Sequence, residues 1–194
     1  MADLGIESGV KKGKLFVLAG PSGVGKGTLR TRALSDIDGL TYSVSCTTRP
    51  PREGEREGAD YRFLSKEEFE SRIARGLFLE HALVHGNYYG TLREDIEREI
   101  AAGRSVLLEI DVQGARQIRK LLPPPDSFLI FVSPPSLEVL EARLRRRGTE
   151  SEDKIEQRIE TAKKEMEAAG EFDRVIVNGD LERACRELRD IVIT

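Results

Sequence analysis

Four short apolar runs recur along the chain: "LFVLA" at 15–19, "VLLEI" at 106–110, "FLIFV" at 128–132 and "RVIVN" at 174–178. A weaker fifth is "TYSVS" at 41–45. Hydrophobicity within them is continuous rather than alternating, as in strands buried on both faces of a parallel sheet. Helical patterns lie between them, at 25–35, 92–102, 114–121, 136–147, 151–168 and 180–190. Strands alternating with helices predict a doubly wound α/β core. Two segments break this rhythm. Residues 43–90 are rich in Gly, Arg, Glu and aromatics and carry strand-like pieces, "DYRF" and "LFLEHALV". At that length they read as a small inserted subdomain rather than a loop. Residues 136–168 are highly charged and helical with a break at Gly148, which predicts a solvated helical flap. "PPPD" at 123–126 ends the helix that precedes the next strand.

A chain of 194 residues, 39% hydrophobic and 34% charged, is sized for one compact unit with an adequate core. The formal net charge of −3 opposes a general nucleic-acid-binding or membrane-coating surface. Cys46 and Cys185 are far apart, with no CxxC and no metal spacing, so a reduced intracellular protein is expected. The opening "MADLGIESGV" has neither a basic n-region nor an apolar h-region. No apolar run approaches the roughly 20 residues needed to cross a bilayer. The expected setting is the cytoplasm, with neither nucleic acid nor membrane as partner.

The first strand runs through "AGPSGVGKGTLR" into a helix, the context a phosphate loop requires. Gly20, Pro21, Ser22, Gly23, Val24, Gly25 and Lys26 fit G-x-x-x-x-G-K, but Gly27 stands at the Ser/Thr position and Thr28 follows. The glycines allow successive N–H groups to face phosphate oxygens. The helix that follows adds its positive N-terminus, and Lys26 a mobile cation for the outer phosphates. The "GKGT" ending resembles nucleoside monophosphate kinases. That resemblance implies Mg²⁺ held largely through water and nucleotide phosphates, with Thr28 the nearby hydroxyl.

In "SCTTRPPREGEREGADY", Arg49 and Arg52 bracket two prolines that fix an extended path. Residues three apart on a polyproline helix project to similar sides, so two guanidiniums can converge on one small anion. The competing reading is a solvated basic loop balanced by Glu53, Glu55 and Glu57. In "VLLEIDVQG", Glu109 and Asp111 end an apolar strand, where ligands collect in open α/β sheets. If both are within the strand they share one side of it. The alternative is a carboxylate pair capping a helix at Gln113–Gly114.

"SVSCTTRPPREGEREGADYRF", "FLEHALVHGNYYGT", "LLEIDVQG", "RRRGTESEDKIEQR" and "VIVNGDLERA" occur in this order from about Lys14 to the end. Together with the phosphate loop they resemble the guanylate kinase family. The resemblance implies an α/β P-loop three-layer fold with a parallel sheet core, an inserted GMP-binding subdomain and a helical lid. Its expected divisions are a flexible N-terminus over 1–12, a core over 13–42, 92–135 and 169–194, an insertion over 43–91 and a lid over 136–168. It marks Ser45, Arg49, Arg52, Tyr61, Glu80, Tyr89, Thr91 and Asp111 as GMP-site positions. Arg49, Arg52, Tyr61 and Tyr89 would hold the monophosphate. Glu80 would accept from guanine N1–H and the 2-amino group, with Ser45, Thr91 and Asp111 completing the base contacts. Adenine offers a lone pair at N1 and no 2-amino group, so a buried Glu80 would reject it by about 10⁴-fold or more.

The same resemblance places Glu109 in the water shell of Mg²⁺, although many family members have Asp there. It gives a lid role to Arg143, Arg147 and Arg158, which would meet transition-state charge at closure. Arg145 and Arg146 match nothing and read as solvated surface. Asn178 is a candidate adenine contact, with an Asn-Gly turn as its competitor. His81 and His85 read as packing or surface residues. The implied reaction is transfer of the γ-phosphoryl group of ATP to GMP, with dGMP as a candidate second acceptor. The rivals are a kinase for another nucleoside monophosphate, a non-enzymatic interaction module of the same shape, and a P-loop ATPase.

Overall fold

The computed structural model describes residues 13–146 and 152–193. The expected flexible stretch 1–12, Arg147 and the Gly148 break lie outside the described residues. The core is a five-stranded sheet of β1 (Leu15–Ala19), β2 (Leu40–Tyr42), β7 (Ser105–Glu109), β8 (Ser127–Ser133) and β9 (Arg174–Val177). Its strand order is β2-β7-β1-β8-β9, with every neighbouring pair parallel. Alternation along the central strand β1 divides the interior in two. Phe16 and Leu18 face α1 (Lys26–Leu34), α5 (Leu137–Arg146), α6 (Glu152–Glu167) and α7 (Leu181–Ile193). Leu15, Val17 and Ala19 face α3 (Arg93–Ala101) and α4 (Val112–Leu121). All five β1 side chains are therefore buried, which explains the unbroken apolar run. The three-layer α/β architecture is as expected.

A second sheet, ordered β4-β3-β6-β5, is built from β3 (Cys46–Thr47), β4 (Arg62–Phe63), β5 (Phe78–Val84) and β6 (Asn87–Leu92). β5 and β6 form an antiparallel hairpin. Its two-residue turn puts His85 at φ 47° and Gly86 at φ 80°, the paired positive values that match strand twist. A helix absent from the sequence reading, α2 (Lys66–Ala74), covers this sheet. Its Phe69 stacks between Phe78 and Tyr88, with ring centroids at 4.3 and 5.2 Å.

Two boundaries that bear on the site differ from expectation. The strand predicted at 41–45 ends at Tyr42, and Ser43–Ser45 lead out toward the second sheet. The strand predicted at 106–110 ends at Glu109, and α4 begins at Val112, two residues before the predicted 114. Asp111 therefore lies beyond the strand and caps α4, accepting from Gly114 N at 2.9 Å. An Asp at the N-cap satisfies an otherwise orphaned helical N–H, so the capping alternative describes its local geometry.

Candidate active site

A cavity of about 640 Å³ opens at the C-terminal ends of β1 and β7, between the phosphate loop, the second sheet and α6. Its floor is the loop from Gly20 to Gly25. Gly20 has φ 141°, and a side chain there would collide with the Val132 carbonyl of β8. Gly25, at φ 100°, is the N-cap of α1. Only glycine adopts such angles without strain. Lys26 curls back, its Nζ donating to Gly20 O at 2.7 Å and Pro21 O at 3.3 Å. Ser22, Gly23, Gly27 and Thr28 also line the cavity. Val24 is fully buried in the core below, and Pro21 is not on the cavity wall.

The second sheet supplies the opposite wall, with Ser45, Arg49, Arg52, Tyr61, Glu80 and Tyr89. Tyr61 and Tyr89 meet edge to face at 6.0 Å, and the Arg49 guanidinium lies over the Tyr61 ring at 5.4 Å. Burial pushes the Tyr61 hydroxyl up to about 12, so it stays a proton donor. Arg49 Nη2 donates to both carboxylate oxygens of Glu55, at 2.8 and 2.9 Å, and Arg52 N donates to Glu55 Oε2 at 2.8 Å. Glu55 pairs with Arg49, as the balanced-loop reading expects, but the Arg49 side chain is 11% exposed rather than solvated. Arg49 faces the cavity and is also neutralised locally.

Glu80 is only 2% exposed. Thr91 stands behind it, off the cavity wall, and donates from Oγ1 to Glu80 Oε1 at 2.7 Å. Burial raises the Glu80 carboxyl to about 7, with Thr91 opposing and the Asp111 carboxylate adding to the rise. A buried acid with one oxygen satisfied inside the protein calls for a donor to the other. Glu109 and Asp111 line the junction between the two walls. Glu109 faces Gly27, with Arg30 Nε 3.6 Å from its Oε2.

The helix α6 closes the third side with Lys154, Gln157, Arg158, Thr161 and Glu165. Arg158 Nη1 donates to Ser22 Oγ at 3.4 Å, joining α6 to the phosphate loop. Glu165 is raised to about 7 by burial, opposed by Lys26 and reinforced by Asp111. The cavity thus gathers carboxyl groups of Glu80, Glu109, Asp111 and Glu165 together with the cations Lys26, Arg49, Arg52, Lys154 and Arg158.

A guanylate kinase family model matches residues 12–194. The guanylate kinase of Neisseria meningitidis serogroup A is 53% identical over 185 residues, covering 95% of this chain and 89% of that one. That of Listeria innocua is 48% identical over 185 residues with the same coverage. The crystal structure of guanylate kinase from Anaplasma phagocytophilum superimposes with a TM-score of 0.77 at 34% identity, covering 94% of this chain and 86% of that one.

The chain belongs to the guanylate kinase family.

Most of the positions marked by the guanylate kinase motifs converge on this single cavity, but not all. Arg143 does not reach it: its guanidinium donates to Val24 O at 3.2 Å and Asn178 O at 2.8 Å, behind the phosphate loop. Asn178 is also absent from the wall. Its buried amide donates to Val24 O at 2.8 Å, bracing the loop from below. Arg145 pairs with Glu141 and Glu152 on the surface. The sequence reading missed Lys154, Gln157, Thr161 and Glu165, which extend the Arg158 face at spacings of three and four. It also missed His85 and Asn87, which the hairpin turn carries to the rim.

Proposed function

We propose that this chain carries out the guanylate kinase reaction in this cavity, using the residues above, and that Mg²⁺ accompanies the ATP. The triphosphate tail lies on the N–H groups of Gly23–Thr28 with Lys26 on the outer phosphates. GMP lies against the second sheet, its phosphate on Arg49, Arg52, Tyr61 and Tyr89, its guanine on Glu80, Ser45 and Asp111 with Thr91 orienting Glu80. We take residues 43–91 as the GMP-binding insertion and 136–168 as the lid. A GMP phosphate oxygen attacks the γ-phosphorus in line as the bond to the bridging β–γ oxygen breaks, so no covalent intermediate on the protein is needed. Lys26 and Arg158 neutralise charge on the transferring group, and lid closure excludes water that would otherwise hydrolyse ATP. Arg147 is assigned to the same task on the family pattern. Arg143 and Asn178 support the phosphate loop in this geometry, and contact with ATP would require them to leave the Val24 carbonyl.

The residues suit a hydrated Mg²⁺. Glu109 and Thr28 offer hard oxygen donors beside the loop. Among the described residues no cluster of three or more His, Cys, Asp or Glu forms a protein cage for a metal. Bound there, the ion would neutralise charge between the β- and γ-phosphates. Cys46 and Cys185 are buried free thiols, in keeping with a cytoplasmic setting, and among the described residues no helix is long and apolar enough to cross a membrane.

The observation that carries the reading is Glu80, a buried carboxylate that shares one cavity with the phosphate loop. A coupled assay of ADP formation with GMP, AMP, UMP and CMP in turn tests it. Turnover should require GMP. Equal turnover on AMP, or ATP hydrolysis indifferent to GMP, would overturn it.

A further inference from the structure

We infer that Gly114 is a positioning residue for guanine selection, because its missing side chain is the space that the Glu80 carboxylate occupies. This rests on the reading of Glu80 as the guanine acceptor. Gly114 is the third residue of α4 and its backbone has no positive φ, so nothing in its conformation demands glycine. The demand is steric. A methyl group built on its Cα would overlap Glu80 Oε2, lie 3.1 Å from Glu80 Cδ and press on Ile110 Cδ1 at 3.2 Å.

Three contacts decide which side gives way. The helix cannot back off, since Gln117, one turn further on, is held to the strand beside Glu80. His81 N donates to Gln117 Oε1 at 3.2 Å, and Gln117 Nε2 donates to His81 O at 2.7 Å. The start of α4 is tied as well, with Val112 packed against Phe131 and Ala115 buried against the β1 face of the core. Only the end of the Glu80 side chain is free to move, and it moves by surrendering its 2.7 Å bond from Thr91. The same glycine therefore seats two cavity carboxylates. Its N–H fixes Asp111, and its bare Cα lets Glu80 lie between Thr91 and the helix.

Shifting one flexible side chain costs the fold little, and alanine is the better helix former, so Gly114→Ala should fold. It should instead displace the acceptor. The expected result is a KM for GMP raised by about tenfold or more, with the KM for ATP and the melting temperature little changed. Glu80→Asp in the wild-type background should be costly, since the shortened carboxylate retreats from both base and Thr91. In the Gly114→Ala background the same change should cost less, because the shorter side chain clears the added methyl group. Glu80→Gln is measured beside these variants. If Glu80→Gln loses GMP while Gly114→Ala keeps it, the inference is overturned and the Glu80 assignment stands. If Glu80→Gln keeps GMP selectivity, the assignment fails and the inference with it. Parallel rises in both KM values with a lowered melting temperature, or equal costs of Glu80→Asp in the two backgrounds, would reduce Gly114 to a structural glycine and overturn the inference.

Discussion

Raising and lowering the pH around neutrality should switch GMP recognition through Glu80. Only the ionised carboxylate accepts from both guanine N1–H and the 2-amino group. Burial raises its ligand-free value from 4.5 to about 7. A group with that midpoint is about nine-tenths ionised at pH 8 and about one-tenth at pH 6. The KM for GMP should therefore rise about tenfold across that interval from this cause alone. The GMP phosphate also titrates, near pH 6 by analogy with phosphoesters, so wild type alone is ambiguous. Glu80→Gln removes the ambiguity, because it keeps the phosphate titration and loses the carboxyl. At pH 8 the variant should bind GMP more weakly by the equivalent of roughly 1.5–3 kcal/mol, one charge-assisted hydrogen bond. At pH 6 the gap should shrink about tenfold in KM, since wild-type Glu80 is then mostly protonated too. Steady-state KM for GMP at saturating ATP, for both proteins at several pH values, reads this directly. A ratio of KM values constant from pH 6 to pH 8 would refute the reasoning.

Three further outcomes are expected. Arg158→Ala should lower kcat by about 10³-fold while sparing the KM for GMP, because Arg158 meets the phosphate loop rather than the second sheet; a loss confined to KM in rapid-quench and steady-state kinetics would contradict it. Phe69→Ala, which empties the stack between Phe78 and Tyr88, should cost about 3–5 kcal/mol in chemical denaturation and weaken GMP binding before ATP binding; equal weakening of both would show that the second sheet does not hold GMP alone. Glu165 sits above its unfolded value of 4.5, at about 7, so its contribution to stability is complete below about 4.5 and lost as pH rises through about 7. Glu165→Gln should accordingly raise the ligand-free melting temperature at pH 8, by the equivalent of about 1–3 kcal/mol, and change it little at pH 5. The same shift at both pH values would rule out a buried charge as its cause.

How much was legible in the chain depended on how many apolar residues each element buries. β1 and β8 announce themselves because they are buried on both faces, whereas β2, at the other sheet edge from β9, has no fully buried residue in Leu40–Tyr42 and reads more weakly. The helix α2 was missed because it buries only Phe69, too little for a period amid "KEEFESRIA". Asp111 is open to both a strand-end and a helix-cap reading because Ile110 resumes the apolar run after Glu109. The cap decides it, with Asp111 accepting from the N–H of the glycine three residues on. Residues such as Ser45, Tyr61 and Tyr89 were found through family motifs, since they come from separate strands and loops and no local pattern joins them. Glu165 was hidden within a helix in which nearly every residue is charged or polar. Its face is distinguished only by the spacing from Arg158 through Thr161. Arg143 and Asn178 have the side chains for nucleotide contact, yet packing turns both toward the Val24 carbonyl. Their direction depends on how α5 and the end of β9 meet the loop, a tertiary fact.

The central claim is that one cavity holds an ATP site and a GMP site close enough for direct transfer. Calorimetric titration with adenosine and guanosine joined at their 5′ positions through a polyphosphate bridge tests it. The expected result is one molecule bound per chain, more tightly than either nucleotide, and displaced by ATP and by GMP separately. Binding no tighter than ATP alone, or retained in full when GMP saturates the protein, would contradict it.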